Sequence, residues 1–244
     1  MAFRGEAAIA SAGSQPYLTV TVSGIGGSGP QLGDMILLAA LSSGGSVSFT
    51  FPSGFNAISG LSQIGINGST SFAIALKIGT SSEPASYQVS VGTSGYMSLD
   101  CRVYSGRSGA FTNVAETLST DAGTAPATLN VTGLTAASGD DVAMFVGFDN
   151  GWTNGAYTYH LSLPSGFANR IDPLPFGAVT FGTLLGSSDY ANNPGGALGT
   201  LQPIFSSSAG SPDVYYGAFV LSMATASVSV SPSGPMPKQI YVMP

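Results

Sequence analysis

The chain has 244 residues and a formal charge of −6 at pH 7, and only 7% of its residues are charged, against about 25% in an ordinary soluble domain. Its six basic residues are scattered singly, so they cannot form the cationic track that a nucleic-acid backbone or an anionic membrane requires. Neither partner is expected. The apolar content of 43% is still sufficient for a core, which argues against a disordered chain.

Runs that could form a helix are almost absent, because Gly, Pro or clusters of Ser and Thr interrupt nearly every window of about 11 residues. Strand-like runs recur instead, each bounded by Gly, Pro, Asn or Ser. In chain order, strands are predicted over residues 17–23, 35–41, 46–51, 71–78, 86–91, 96–104, 127–131, 142–148, 158–163, 178–185 and 215–223. Without helices to supply crossover connections, these strands should pair mainly antiparallel.

Three of these runs indicate how the strands are covered. Residues 35–41 and 142–148 are apolar at successive positions, so both faces should be buried, one by the opposing sheet and one by a loop or a neighbouring subunit. Residues 96–104 alternate instead, with one apolar face in the core and the face of Asp100 and Arg102 wet or at an interface. Cys101 lies on the apolar face, which favours a packing role over a reactive thiol.

A pattern of Gly-Asp, apolar strand and Pro-Ser-Gly-Phe occurs twice in the chain. It begins at Gly33 and again at Gly139, and its Pro-Ser-Gly-Phe turns begin at Pro52 and Pro164. The second copy carries six extra residues between its two landmarks, which belong in a loop. One supersecondary plan is therefore expected twice.

These patterns predict an all-β chain, a two-sheet antiparallel β-sandwich with jelly-roll-like topology built from two related halves. The sandwich should span residues 17–226, with halves of about 17–109 and 110–226. Residues 1–16 are expected to form an N-terminal arm outside it, and residues 227–244 an extended C-terminal arm.

The C-terminal arm carries four prolines, which exclude a helix or a central strand. Its last apolar group, Ile240, Tyr241, Val242 and Met243, should dock on another chain. The alternative is a frayed terminus.

Catalytic and cofactor motifs are weak, and no catalytic residue, cofactor or metal site is predicted. The glycine-rich run 24–29 is followed by Pro30 and a strand rather than a helix, which favours a hairpin loop over a dinucleotide site. His160 is the only histidine, too few for a multi-histidine metal site. Asp34 and Asp140 should fix turns. Calcium at loops around Asp149 or Asp189 stays open.

The remaining functional candidates are aromatic. Trp152 is the only tryptophan and lies near Asn154, Tyr157 and Tyr159. Exposed rings beside amides are typical of a sugar-binding platform, and also of a loop packed on a neighbouring subunit. We favour the interface and keep the glycan contact as the alternative.

The order of several short motifs resembles β-sandwich virion proteins of tailed bacteriophages and prophages. The motifs are Gly-Asp-Met-Ile-Leu-Leu at 33–38, Pro-Ser-Gly-Phe at 52–55, Ala-Leu-Lys-Ile at 75–78, Ser-Glu-Pro-Ala-Ser-Tyr-Gln-Val at 82–89 and Val-Tyr-Ser-Gly at 103–106. Phe55 stands where those proteins commonly have Trp. The resemblance covers about residues 17–225 and implies a structural protein on the head surface or in the tail-fibre apparatus. It implies no catalytic residue and no particular receptor.

The resulting expectation is a non-enzymatic virion protein that decorates the capsid exterior as a homo-oligomer, for example a trimer, and contacts other virion proteins. Two alternatives remain: a tail-fibre or receptor-binding module that contacts host polysaccharide, and a phage-borne esterase or glycosidase that uses His160. The first residues lack the continuous apolar stretch of a signal peptide, so we expect synthesis in the host cytoplasm.

Overall fold

Antiparallel strands dominate the computed structural model, which describes residues 3–11, 13–43, 45–66, 68, 70–124, 127–149, 159–171, 183–191, 193–207 and 213–225. Within these ranges, the side chains of residues 118–124, 127, 149, 159–161, 169–171, 183–184, 205–207 and 213–216 are not described. The described residues form nineteen strands and one short 3₁₀ turn, Ile25–Gly27.

The first half of the chain, β1 to β9, forms two sheets. Inner sheet 1 has the strand order β1 (Phe3–Ala10), β9 (Met97–Tyr104), β3 (Met35–Ser43), β7 (Thr70–Ile78) and β5 (Asn56–Ala57), with β6 (Ile64–Ile66) also paired to β7. Outer sheet 1 has the order β2 (Gln15–Thr21), β8 (Ser86–Gly95) and β4 (Phe49–Thr50).

The second half, β10 to β19, repeats this plan. Inner sheet 2 has the order β10 (Arg107–Thr124), β19 (Asp213–Thr225), β13 (Asp141–Asp149), β16 (Thr183–Tyr190) and β15 (Ala168–Ile171). Outer sheet 2 has the order β11 (Ala127–Thr128), β18 (Ile204–Ser207) and β14 (Tyr159–Ser162), and β12 (Thr135–Ala136) pairs separately with β17 (Gly196–Ala197). All these pairings are antiparallel, so the predicted all-β antiparallel sandwich is confirmed, once in each half, while its jelly-roll-like topology stays a prediction.

The four sheets stack as layers, because both inner sheets bury both of their faces. In β3, Leu37 packs between the two inner sheets while its neighbour Leu38 packs against outer sheet 1. In β13, Phe145 packs between the inner sheets while Met144 packs against outer sheet 2. The second cover of these apolar strands is therefore the inner sheet of the other half, and the expectation of a loop or a neighbouring subunit was wrong.

The Gly-Asp turn is built in the same way twice. The Asp34 N–H donates to the carbonyl of Gln31, and the Asp34 carboxylate accepts the Gln31 N–H at 2.7 Å. Asp140 makes the same two contacts with Ala137, the second at 3.0 Å. A short polar side chain that bonds nearby backbone groups fixes a tight turn before each central strand, as predicted.

The N-terminal residues differ from the predicted arm over 1–16. Phe3–Ala10 forms β1, which pairs with β9 from Phe3 opposite Tyr104 to Ala10 opposite Ser98. The physical reason is that β9 would otherwise expose a full row of backbone donors and acceptors at the edge of the sheet. The C-terminal arm, 227–244, lies outside the described residues.

Candidate functional site

A groove lined by aromatic side chains opens at the edge of the first half, beside β4 and β5. Its volume is about 210 Å³, and Phe49, Phe51 and Phe55 form its apolar wall. The ring centroids of Phe49 and Phe51 are 6.1 Å apart, and those of Phe51 and Phe55 are 6.5 Å apart. All three side chains are half-buried, so part of each ring remains accessible. Asn56 and Gln63 add amide groups to the lining of this aromatic groove.

The Pro-Ser-Gly-Phe turn sets the position of Phe55. Its N–H donates to the carbonyl of Pro52 at 3.2 Å, and Gly54 has a φ of +87°. A β-carbon on Gly54 would lie 3.2 Å from Cε of Lys77, a contact that a small shift of the lysine relieves, so glycine is favoured here chiefly by the backbone conformation. Phe55 then packs edge-on against Tyr87, with ring centroids 5.0 Å apart.

An ion pair supports Phe55 from behind. Lys77 Nζ lies 2.7 Å from Glu83 and 6.0 Å from the centre of the Phe55 ring. Glu83 also accepts the Tyr87 hydroxyl at 2.6 Å and both the N–H and the hydroxyl of Thr80. Burial opposes ionisation of Glu83, but these hydrogen bonds outweigh it and lower its pKa to about 2. Glu83 of the Ser-Glu-Pro motif, residues 82–84, therefore holds the turn between β7 and β8 in place.

A larger groove, the seam groove, runs between the two halves. Its volume is about 450 Å³, with Ala57, Ile58 and Leu76 on the side of the first half and Phe111 and Val114 of β10 on the other. Ala57 and Ile58 also line the aromatic groove, so the segment around β5 separates the two cavities.

The seam is anchored further along β10 by a hydrogen-bonded pair. Ser62 donates from its N–H and from its hydroxyl to the Glu116 carboxylate, both at 2.8 Å. These bonds cross from the first half to the second, so they hold the segment around β5 against β10.

A charged cluster, the ionic region, lies between the two inner sheets. Arg102 donates to Asp100 at 3.2 Å and to Asp189 at 2.7 Å, and the Tyr104 hydroxyl donates to Asp189 at 2.6 Å. The Arg102 guanidinium also lies 4.7 Å from the centre of the Phe145 ring. Each of these five residues is at most 2% exposed. The cluster joins the halves, and no ligand can reach it from solvent.

The environment of the ionic region disfavours isolated charge. Burial raises the pKa of Asp100, although Arg102 acts in the opposite direction. Burial also raises the pKa of the Tyr104 hydroxyl well above its ordinary value, and the neighbouring Asp189 adds to this effect. Tyr104 therefore stays a neutral hydrogen-bond donor. The face of β9 predicted to be wet or at an interface is an interface within the chain.

Most of the predicted contact residues cannot be placed. Trp152, Asn154 and Tyr157 lie outside the described residues, as does the segment Ile240, Tyr241, Val242 and Met243. Tyr159 begins β14 opposite Ser207, but its side chain is not described. The roles given to these residues stay predictions.

The aromatic groove is the feature that the sequence reasoning missed. Phe49-Thr50-Phe51 already signals two rings on one face of a strand, and the Pro-Ser-Gly turn returns a third ring four residues later. The sequence pattern does not show that these rings remain accessible to solvent at the edge of the sheet.

The described residues also bear on metals and membranes. Asp189, one of the residues considered for calcium, is buried in its pair with Arg102. Among the described side chains, no group of three or more His, Cys, Asp or Glu is placed to hold a metal ion. No helix within the described ranges is long and apolar enough to cross a bilayer.

Comparison of the chain with models of protein families, with curated proteins and with solved structures found no match.

Proposed function

We propose that this protein is a non-enzymatic structural protein of a tailed-bacteriophage virion, which decorates the capsid exterior as a homo-oligomer. The proposal rests on where the basic side chains lie and what they contact. Every basic side chain that the structure describes, namely Arg4, Lys77, Arg102 and Arg107, forms an ion pair within the chain. These basic residues therefore stabilise the scaffold, and with only 7% of its residues charged the chain has few charges for its surface.

Such a surface suits a protein that is present in many closely spaced copies. Identical subunits with large net charge repel one another, whereas a net charge of only −6 over 244 residues limits the repulsion between copies that lie side by side on a shell. The motif residues behind the phage resemblance also have framework roles here. Asp34 fixes a turn, Gly54 permits another, and Glu83 supports the loop after β7.

The test is to locate the protein on intact particles. Virions from cells that carry this gene would be purified, separated into heads and tails, and labelled with gold-conjugated antibodies against the chain. We expect the label and the protein band on heads. Absence of the chain from purified virions would contradict a virion role, and label confined to tail tips would assign the protein to the receptor-binding apparatus.

A tail-fibre module that contacts host polysaccharide is the second candidate, and the aromatic groove favours it. Accessible rings bordered by amides are suited to stack on a sugar face and to bond its hydroxyls. A glycan array probed with the wild-type chain, Phe51→Ala and Trp152→Ala would separate the two candidate contact regions. Phe167→Ala, in the equivalent turn of the second half, is the control. Absence of binding by the wild-type chain would remove this candidate.

A further inference from the structure

We propose that the seam groove is the docking site for the C-terminal segment, residues 236–244, of a neighbouring copy of this chain. The inference rests on the proposed assembly role, since it names the surface that the C-terminal arm of one subunit would grip on the next.

The first argument is position. The last described residue before the arm is Thr225, which lies opposite Arg107 at the start of β10. The seam groove begins at Gly109 on that same strand. Thr225 and Gly109 are therefore two residues along a strand and one step across the sheet apart, a distance of roughly 10 Å. Each arm therefore leaves its own subunit beside one end of a seam groove.

The second argument is chemistry. Leu76, Phe111 and Val114 give the groove apolar walls, and Ile78, which lies against Gly109 at its end, is 44% exposed. The arm contains the run Ile-Tyr-Val-Met at residues 240–243, whose apolar side chains gain from burial against an apolar wall. Ser59, Thr112 and Asn113 also line the groove, so apolar side chains of the segment can pack on the apolar walls while its backbone meets polar groups.

The third argument is the backbone. β5 is the last strand in the order of inner sheet 1, so its outer edge has no partner among the described strands. Residues 238–243 contain no proline, and every N–H in this stretch can join a strand edge. An extended segment that adds to a free edge gains main-chain hydrogen bonds, while alternate side chains fill the adjacent groove.

The spacing favours a neighbouring copy over the same subunit. Fourteen residues separate Thr225 from Ile240, and three of them are prolines. At about 3.1 Å per residue, fourteen residues could reach at most roughly 40 Å, which is enough to span to an adjacent copy. The groove of the same subunit starts only about 10 Å from the origin of this spacer, and a linker much longer than the span it must cover lowers the effective concentration for self-docking.

The experiment uses a fluorescent peptide of residues 236–244 and the chain truncated after residue 235, whose groove would be empty. Fluorescence anisotropy should show saturable binding. Ala57→Arg and Ala110→Arg, two exposed positions in the groove lining, should each weaken it at least tenfold. Ala168→Arg, on an exposed position of the matching edge strand β15, should leave affinity within about twofold. Equal melting temperatures would show that all variants are folded.

Sedimentation of the full chain then identifies the source of the segment. We expect concentration-dependent association that Ala57→Arg and truncation both reduce at least tenfold. A full chain that stays monomeric yet refuses the peptide holds its own arm, which would overturn the assignment to a neighbouring copy. If the peptide does not bind, or if Ala168→Arg weakens it as much as Ala57→Arg, the groove assignment is wrong. The virion role would still stand if the chain is found on purified heads.

Discussion

The interface between the two halves contains two contact regions of opposite chemistry. In the ionic region, Arg102 of β9 pairs with Asp189 of β16. In the other, which we call the aromatic region, Phe72 of β7 packs against Phe219 of β19 with ring centroids 4.6 Å apart. The same pair of inner sheets thus meets through buried charge at one place and through two tilted apolar rings at the other.

The strand registers show that charged positions in one half correspond to apolar positions in the other half. Arg102 lies opposite Leu37 in the first half, and its counterpart opposite Ala143 in the second half is Leu221. By the same registers, Asp189 corresponds to Leu76. Each half thus supplies one charged or polar strand and one apolar strand. The shared arrangement of strands requires the facing side chains to be buried and complementary across the interface. The side chains at each position then determine whether the contact is an ion pair or an apolar one.

The largest expected effect comes from breaking the ionic region. Arg102→Leu leaves two carboxylates buried without their cation, and loss of one partner from a buried pair costs roughly 3–5 kcal/mol. Urea denaturation monitored by tryptophan fluorescence and circular dichroism would measure the change. The control replaces Asp100, Arg102 and Asp189 with leucine and Tyr104 with phenylalanine, so that the buried Tyr104 hydroxyl is not left without its acceptor, and should recover most of the loss. If the single variant is as stable as the wild type, the ionic region does not hold the halves together.

The aromatic region should be nearly as sensitive. Phe72→Ala removes a fully buried ring and leaves a cavity next to Phe219, which should cost about 3 kcal/mol. Phe72→Leu, which keeps most of the volume, should cost about half as much. Thermal unfolding would measure both changes. Equal losses for the two variants would show that cavity volume is not what matters there.

A smaller effect compares the two Gly-Asp turns. Asp34→Ala and Asp140→Ala each remove hydrogen bonds that fix a turn, which should cost about 1–2 kcal/mol. Asp34 also pairs with the partly exposed Arg4, whereas Asp140 accepts the buried hydroxyl of Ser222 at 2.7 Å. The penalty for Asp34→Ala should therefore shrink in 1 M salt, while that for Asp140→Ala should not. The same salt dependence for both would refute this distinction.

The last expected effect is a pH dependence that arises from Glu83 in the first half. Because the folded-state pKa of Glu83 is lowered from 4.5 to about 2, its ionised form contributes stability that is fully present above pH 4.5 and is lost as the pH falls towards 2. Glu83→Gln should be less stable than the wild type at pH 6, and the difference should narrow across that window. Melting temperatures at pH 6, 4 and 2.5 would measure it. A constant difference would contradict the role of the ionised carboxylate.

Much of the scaffold could be predicted from the sequence. The repeated Gly-Asp turns appear where the motif places them, because glycine and aspartate act on the backbone within a few residues. The central strands β3 and β13 were also predictable, since a run apolar at successive positions requires two covered faces. The site was harder to predict. Phe49, Phe51 and Phe55 read as ordinary core residues, and only their place at a sheet edge leaves them accessible.

The sequence by itself determined an all-β chain with a plan used twice, because turn residues and side-chain periodicity are local and set where strands begin, end and alternate. Tertiary structure alone decided what covers each face. Alternation along β9 shows that Arg102 and Cys101 point in opposite directions, but not that the face of Arg102 meets Asp189 some 87 residues away. Nor does it show that Phe3–Ala10 completes the inner sheet. Such pairings depend on which surfaces remain to be buried once the strands have formed, and that is a property of the assembled layers.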